Sequence, residues 1–194
     1  MRPLTQGFDK RFRSSGQSSA RRPKAWGAEL VSMVSNWHPV ILETRNFTWP
    51  DEAACAAWAQ ALAARPAIRN ASIELIGPLG AGKTTFVRHL LQALGARGRI
   101  KSPSYAIVEP YDLAGLKVWH FDYYRFGDPR EWEDAGFREL YAEPGLKLSE
   151  WPQKVGALMP TPDLRLDIEP DAQDAQLRHV RTFAMTTTGR ELMP

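Results

Sequence analysis

Cysteine is almost absent from this chain: Cys55 is the only one among 194 residues. A single thiol excludes an internal disulfide framework and any cysteine-cluster metal site, and it fits a reducing cytosol. Also missing is any apolar run close to the ~20 residues that a membrane-spanning helix needs, so the chain reads as soluble and cytoplasmic, with no membrane partner. No Gly-X-Y period, heptad series or repeat of roughly 20–50 residues is present, which removes fibrous and solenoid architectures. An Asn-Lys-x-Asp guanine-reading motif is lacking, which argues against a GTPase switch. What remains is 43% hydrophobic and 24% charged residues, enough for an ordinary core in one compact domain.

The formal net charge is +3, yet the basic excess is local. Residues 1–25 carry seven basic side chains against Asp9, a net of +6, while residues 26–194 carry 18 basic and 21 acidic ones, a net of −3. The body is therefore mildly acidic, and basicity is no argument for a nucleic-acid-binding body. Only Phe8 and Phe12 fall among the tail's basic residues, and the tryptophans are scattered, so stacking platforms for a nucleic acid are not indicated. Residues 1–37 are rich in Gly, Ser, Gln and Arg without apolar periodicity and read as a disordered basic N-terminal extension. An Arg- and Ser-rich, acid-poor composition also describes a transit peptide, and a start at Met33 would remove residues 1–32.

The domain is expected over residues 38–194. Thr48-Trp49-Pro50-Asp51 predicts a helix start, with Thr48 as the cap, leading into an alanine-rich helix from Glu52 to Ala64. Strand-like runs are Ala71–Ile76, Tyr105–Glu109, Leu116–Phe121, Leu146–Ser149, Leu164–Ile168 and His179–Ala184. Helices are expected over Thr85–Leu94 and Glu131–Leu140. A strand, glycine loop and helix followed by further strands predicts an α/β fold, a three-layer α/β/α P-loop NTPase-like domain around a mixed, mainly parallel central sheet.

The chemistry concentrates at Gly77-Pro-Leu-Gly-Ala-Gly82-Lys83-Thr84, which fits G-x-x-x-x-G-K-[ST]. Glycines let successive backbone N–H groups surround a phosphate, and the following helix adds its positive end. Lys83 can reach the outer phosphates of a nucleoside triphosphate, and the Thr84 hydroxyl can ligate Mg²⁺. A carboxylate must complete such a site. Asp122 ends the apolar run Val118–Phe121, and Glu150 ends Leu146–Ser149. Mg²⁺ is commonly held by one or two carboxylates together with phosphates and waters, so both are candidates. His120 shares the strand face of Asp122, but a lone histidine there reads as a packed residue rather than a base. The loop Lys101-Ser102-Pro103-Ser104-Tyr105 could respond to the γ-phosphate or be an ordinary turn.

Taken in order, Gly80-Ala81-Gly82-Lys83-Thr84-Thr85, Lys101-Ser102-Pro103-Ser104-Tyr105, His120-Phe121-Asp122-Tyr123-Tyr124-Arg125 and Glu150-Trp151 resemble the TsaE (formerly YjeE) family over about residues 38–185. The resemblance implies an ATPase that binds ATP and Mg²⁺ and hydrolyses ATP slowly by itself. It further implies action on a TsaB–TsaD-type partner complex that modifies the adenosine next to the tRNA anticodon, with tRNA met only indirectly. Carried over by motif, Leu79, Gly80, Ala81, Gly82, Lys83, Thr84, Thr85 and Trp151 bind the nucleotide, and Thr84 and Glu150 organise the metal. Lys83, Asp122 and Glu150 form the catalytic group. Pro78, Ser104 and Tyr123 depart from the usual pattern without removing a phosphate or metal ligand. The competing expectation is a P-loop kinase for a small molecule or nucleotide, against which stands the lack of a paired-arginine lid.

Overall fold

The computed structural model describes residues 40–103 and 105–193, and the extension expected over residues 1–37 lies outside them. The first strand, β1 (Glu43–Trp49), precedes helix α1 (Glu52–Ala63). The helix is capped by Asp51, whose carboxylate accepts from the Ala54 N–H at 2.8 Å, and not by Thr48, which lies inside β1. The expectation failed because Phe47 and Trp49 alternate inward over too short a run to announce a strand, and the aspartate after Pro50 is the better-placed acceptor.

After a 3₁₀ turn at Pro66–Asn70 come β2 (Ser72–Ile76) and α2 (Lys83–Ala93). A hairpin follows, made of β3 (Val108–Leu113) and β4 (Leu116–Asp122). The strand expected over Tyr105–Glu109 is thus displaced toward the C-terminus. Ile107 has φ +66°, a left-handed conformation that interrupts any extended run through it. Pro110 is tolerated because β3 is an edge strand.

The helix expected over Glu131–Leu140 is two pieces, α3 (Glu131–Asp134) and α4 (Phe137–Ala142), divided at Gly136 with φ +70°. Next come β5 (Leu146–Glu150), two short 3₁₀ segments, β6 (Leu164–Pro170), β7 (Arg178–Ala184) and α5 (Thr187–Leu192). The Thr186 hydroxyl caps α5, a helix too short to show periodicity in the sequence.

The seven strands form one sheet in the order β1-β7-β6-β2-β5-β4-β3. The four central strands, β6, β2, β5 and β4, run parallel, and antiparallel neighbours flank them on both sides. Strand alternation divides the core. Leu116 and Val118 of β4, Ile73 and Leu75 of β2, and Leu146 and Leu148 of β5 face α1 and α2. Trp119, Phe121 and Tyr123 point to the opposite face, where they pack with Trp132, Phe137 and Val155. Helices therefore cover both faces, as the three-layer reading requires. Under α1 and α2, Trp49 stacks on Phe86, and both meet Trp58, with ring centroids 5.5–5.8 Å apart. Fully burying each such ring contributes about 1.5–3 kcal/mol, so this cluster fixes α2, and the loop before it, against the sheet.

Candidate active site

Parallel strands direct their carboxyl ends to one edge, and that edge is where the chemistry-bearing residues converge. β2 ends at Ile76, and the chain turns through Gly77–Gly82 into α2. Gly77, Gly80 and Gly82 have φ of +150°, +79° and +107°, so the loop depends on residues without Cβ. Beside it, β4 and β5 pair in a register that sets Asp122 directly opposite Glu150, and Glu150 also pairs with Leu75 of β2. Two carboxylates distant in sequence thus end neighbouring strands next to the helix that carries Lys83 and Thr84.

Glu150 is buried at 2% exposure, which requires that its charge be met by hydrogen bonds. The Thr84 hydroxyl lies 2.8 and 2.9 Å from its two carboxylate oxygens, and His120 Nε2 lies 2.9 Å from Oε1. Asp122 is equally enclosed; it accepts from the Ser102 hydroxyl and, at 3.0 Å, from the Tyr124 N–H. The Ser102 contact ties the loop after α2 to the end of β4. Ile107 closes that loop, its N–H donating to Pro103 O and its carbonyl accepting from the Asp122 N–H.

Lys83 donates to the carbonyls of Gly77 and Pro78 at 2.7 and 2.8 Å, and its ammonium lies 4.0 Å from the ring centre of Trp151. Burial lowers its pKa, a trend opposed by the negative charges of Glu150, Asp122 and Glu169. Trp151 itself adopts φ +60°, an uncommon conformation for a bulky residue, immediately after Glu150. Backbone strain of this kind costs on the order of 1–3 kcal/mol and persists where surroundings enforce it. Here the ring is held between Lys83 and Tyr124, whose ring centre is 5.1 Å away.

A cavity of about 250 Å³ is lined by Leu79 to Thr85 together with Ser102, Asp122, Tyr124, Glu150 and Trp151. Each site residue expected from the sequence therefore lies around one space, with Leu79 exposed at its rim and Ala81 buried beneath. A second cavity of about 510 Å³ adjoins it across Gly80, Ala81, Gly82 and Thr85, and extends to Trp49, Asp51 and Arg178. The Arg178 guanidinium donates to the Ala81 carbonyl at 2.9 Å, anchoring the phosphate loop from β7. The sequence carries no local signal for this contact, because 97 positions separate the partners.

As a cation site the arrangement offers hard oxygen donors, the Thr84 hydroxyl and the Glu150 carboxylate, already within hydrogen-bond distance of each other. Among the described residues no cluster of three or more His, Cys, Asp or Glu could hold a metal alone. That pattern fits Mg²⁺, which takes few protein ligands and fills its sphere with phosphate oxygens and water.

Comparison with known proteins places these features in context. Residues 49–180 match the family model described as threonylcarbamoyl adenosine biosynthesis protein TsaE. The chain is 39% identical over 121 residues to the tRNA threonylcarbamoyladenosine biosynthesis protein TsaE of Haemophilus influenzae, a match spanning 62% of this chain and 75% of that protein. It is 34% identical over 102 residues to the protein of the same name from Bacillus subtilis, covering 53% of this chain and 63% of the relative. The crystal structure of Bacillus subtilis YdiB superposes with a TM-score of 0.63 at 24% identity, over 77% of this chain and 91% of that one. At that identity the likeness speaks for the fold.

Proposed function

The chain belongs to the TsaE family, and from that premise we propose that it is an Mg²⁺-dependent ATPase, slow by itself, that supports a TsaB–TsaD-type complex. Its role lies in tRNA threonylcarbamoyladenosine biosynthesis, the process named for its relatives. The observation that carries the finer reading is the register of β4 and β5, which sets Asp122 and Glu150 side by side at the edge where the phosphate loop opens.

In this reading the N–H groups of Gly80 to Thr85 receive the phosphates, aided by the N-terminal end of α2. Lys83 exchanges its carbonyl partners for phosphate oxygens, and Trp151 limits where its ammonium can travel. Thr84 and Glu150 would hold Mg²⁺, which would supply positive charge to offset that of the phosphates. Asp122 accepts a hydrogen bond from the attacking water and orients it, its own position fixed by Ser102 and the Tyr124 N–H. The nucleoside lies in the larger cavity, between Trp49 and Arg178. The link to tRNA runs through the partner complex.

The test is phosphate release from ATP by the purified chain, measured without an acceptor, then with the partner complex added. Slow release alone and faster release with the complex are expected. ADP formation that requires a small-molecule acceptor and ignores the complex would replace this reading by a kinase.

A further inference from the structure

His120 is fully buried in β4, on the face that carries Asp122 and Val118. A buried imidazole must place its polar atoms, and here Nε2 meets Glu150 Oε1 at 2.9 Å, whereas Nδ1 has no hydrogen-bond partner among the described residues. The asymmetry identifies the tautomer. A buried N–H needs an acceptor, and of the two ring nitrogens the Glu150 carboxylate oxygen meets Nε2 alone, so the ring proton belongs to Nε2. Nδ1 is then a bare lone pair, and buried acceptors are left unfilled more readily than buried N–H groups.

Two donors from different elements therefore fix the Glu150 carboxylate. Thr84 approaches from α2 and spans both oxygens, and His120 approaches from β4 and engages Oε1 alone. Without His120 the Thr84 hydroxyl, with its single proton, would be left to set the rotation of the carboxylate. In the strand register His120 lies opposite Leu148, two positions before Glu150, so its ring reaches along the sheet to the carboxylate.

We propose that His120 is a positioning residue: it donates from Nε2 to Oε1 and keeps the Glu150 carboxylate turned toward Thr84 and the Mg²⁺–nucleotide they receive. It touches neither nucleotide nor metal and acts through Glu150. The inference rests on the reading that Thr84 and Glu150 organise Mg²⁺. Partners of this kind behind a metal ligand typically change metal affinity or activity by about 10- to 100-fold.

The experiment compares the full chain with His120→Met and His120→Gln, two unbranched side chains of similar length of which only glutamine offers an N–H. Calorimetric titration of ADP, with and without Mg²⁺, gives the factor by which the metal tightens binding; steady-state hydrolysis gives kcat and KM. In H120M, metal-free ADP affinity should stay within about twofold, while the Mg²⁺ factor and kcat fall about tenfold or more. H120Q should recover most of both. In a Glu150→Gln background H120M should add nothing further. His120→Leu replaces H120M if methionine does not pack. Wild-type Mg²⁺ tightening retained in H120M, or lost equally in H120M and H120Q, overturns the role of His120. No Mg²⁺ tightening in the unaltered chain overturns the metal reading beneath it, and the inference with it.

Discussion

Adding a single methyl group at Gly77 should injure this protein more than the same change three residues later. Gly77 has φ +150°, and a Cβ there would lie 2.2 Å from the Ile168 carbonyl oxygen and 3.0 Å from the Ala81 Cβ. Ile168 belongs to β6, where pairing with Val180 of β7 restrains its backbone. The closest collision is therefore with a main-chain carbonyl that cannot swing aside. Holding alanine in a glycine conformation costs about 1–3 kcal/mol, and overpacking a filled interior about as much again. Alanine also restricts the unfolded chain, which returns roughly 0.4–1 kcal/mol. The net loss for Gly77→Ala should be about 2–5 kcal/mol, or about 5–15 °C in Tm. Gly80 provides the control: its φ is +79°, but a Cβ there meets nothing within 4 Å among the described residues, so only the conformational cost of about 1–2 kcal/mol applies. Urea unfolding of both variants separates sterics from conformation. A G77A protein no less stable than G80A would refute the argument that the phosphate loop is seated directly on β6.

Other expectations concern charge. Burial pushes Glu74, at the centre of the sheet, up to about 7, with Asp167 adding to the effect and Arg165 opposing it. Because the folded form keeps its proton where the unfolded chain has lost it, stability is full below about pH 4.5 and declines as pH rises toward 7. Relative to Glu74→Gln, the unaltered chain should therefore lose about 1–2 kcal/mol between pH 5 and pH 8, after allowing for its partial exposure; parallel urea-melt profiles would contradict this. Lys83→Ala should weaken ATP binding by at least about tenfold through loss of a charged hydrogen-bond donor, as read by calorimetry. Asp122→Ala and Glu150→Ala should lower kcat by about 100-fold while changing nucleotide affinity far less, since charge stabilisation counts most in the transition state. Normal turnover by a folded double variant would remove both residues from the mechanism.

The parts of the site written in short stretches of sequence were readable there. The glycine spacing from Gly77 to Gly82 states a local backbone requirement, and Asp122 and Glu150 could be found because each ends an apolar run. Their adjacency was not readable, since it depends on strand order and on the register of β4 with β5. Arg178 escaped for the same reason: it reaches the loop only once β7 has been laid down on the far side of β6. His120 could be placed on the correct face by alternation, yet its bond to Glu150 needs the neighbouring strand. Boundaries went astray where one residue outweighed periodicity, at Gly136 in the divided helix and at Ile107 before β3.

The solitary cysteine has an experimental consequence. Cys55 sits on the buried face of α1 with 5% exposure, and burial, aided by Glu52, pushes its thiol up to about 12. At neutral pH it is a protonated sulfur turned inward from the helix, hence a poor nucleophile as long as α1 stays down. Attack on an added disulfide reagent must wait for that helix to lift. Labelling kinetics then become a clock of local breathing beside the phosphate loop, with no competing sulfhydryl elsewhere in the sequence to blur the reading.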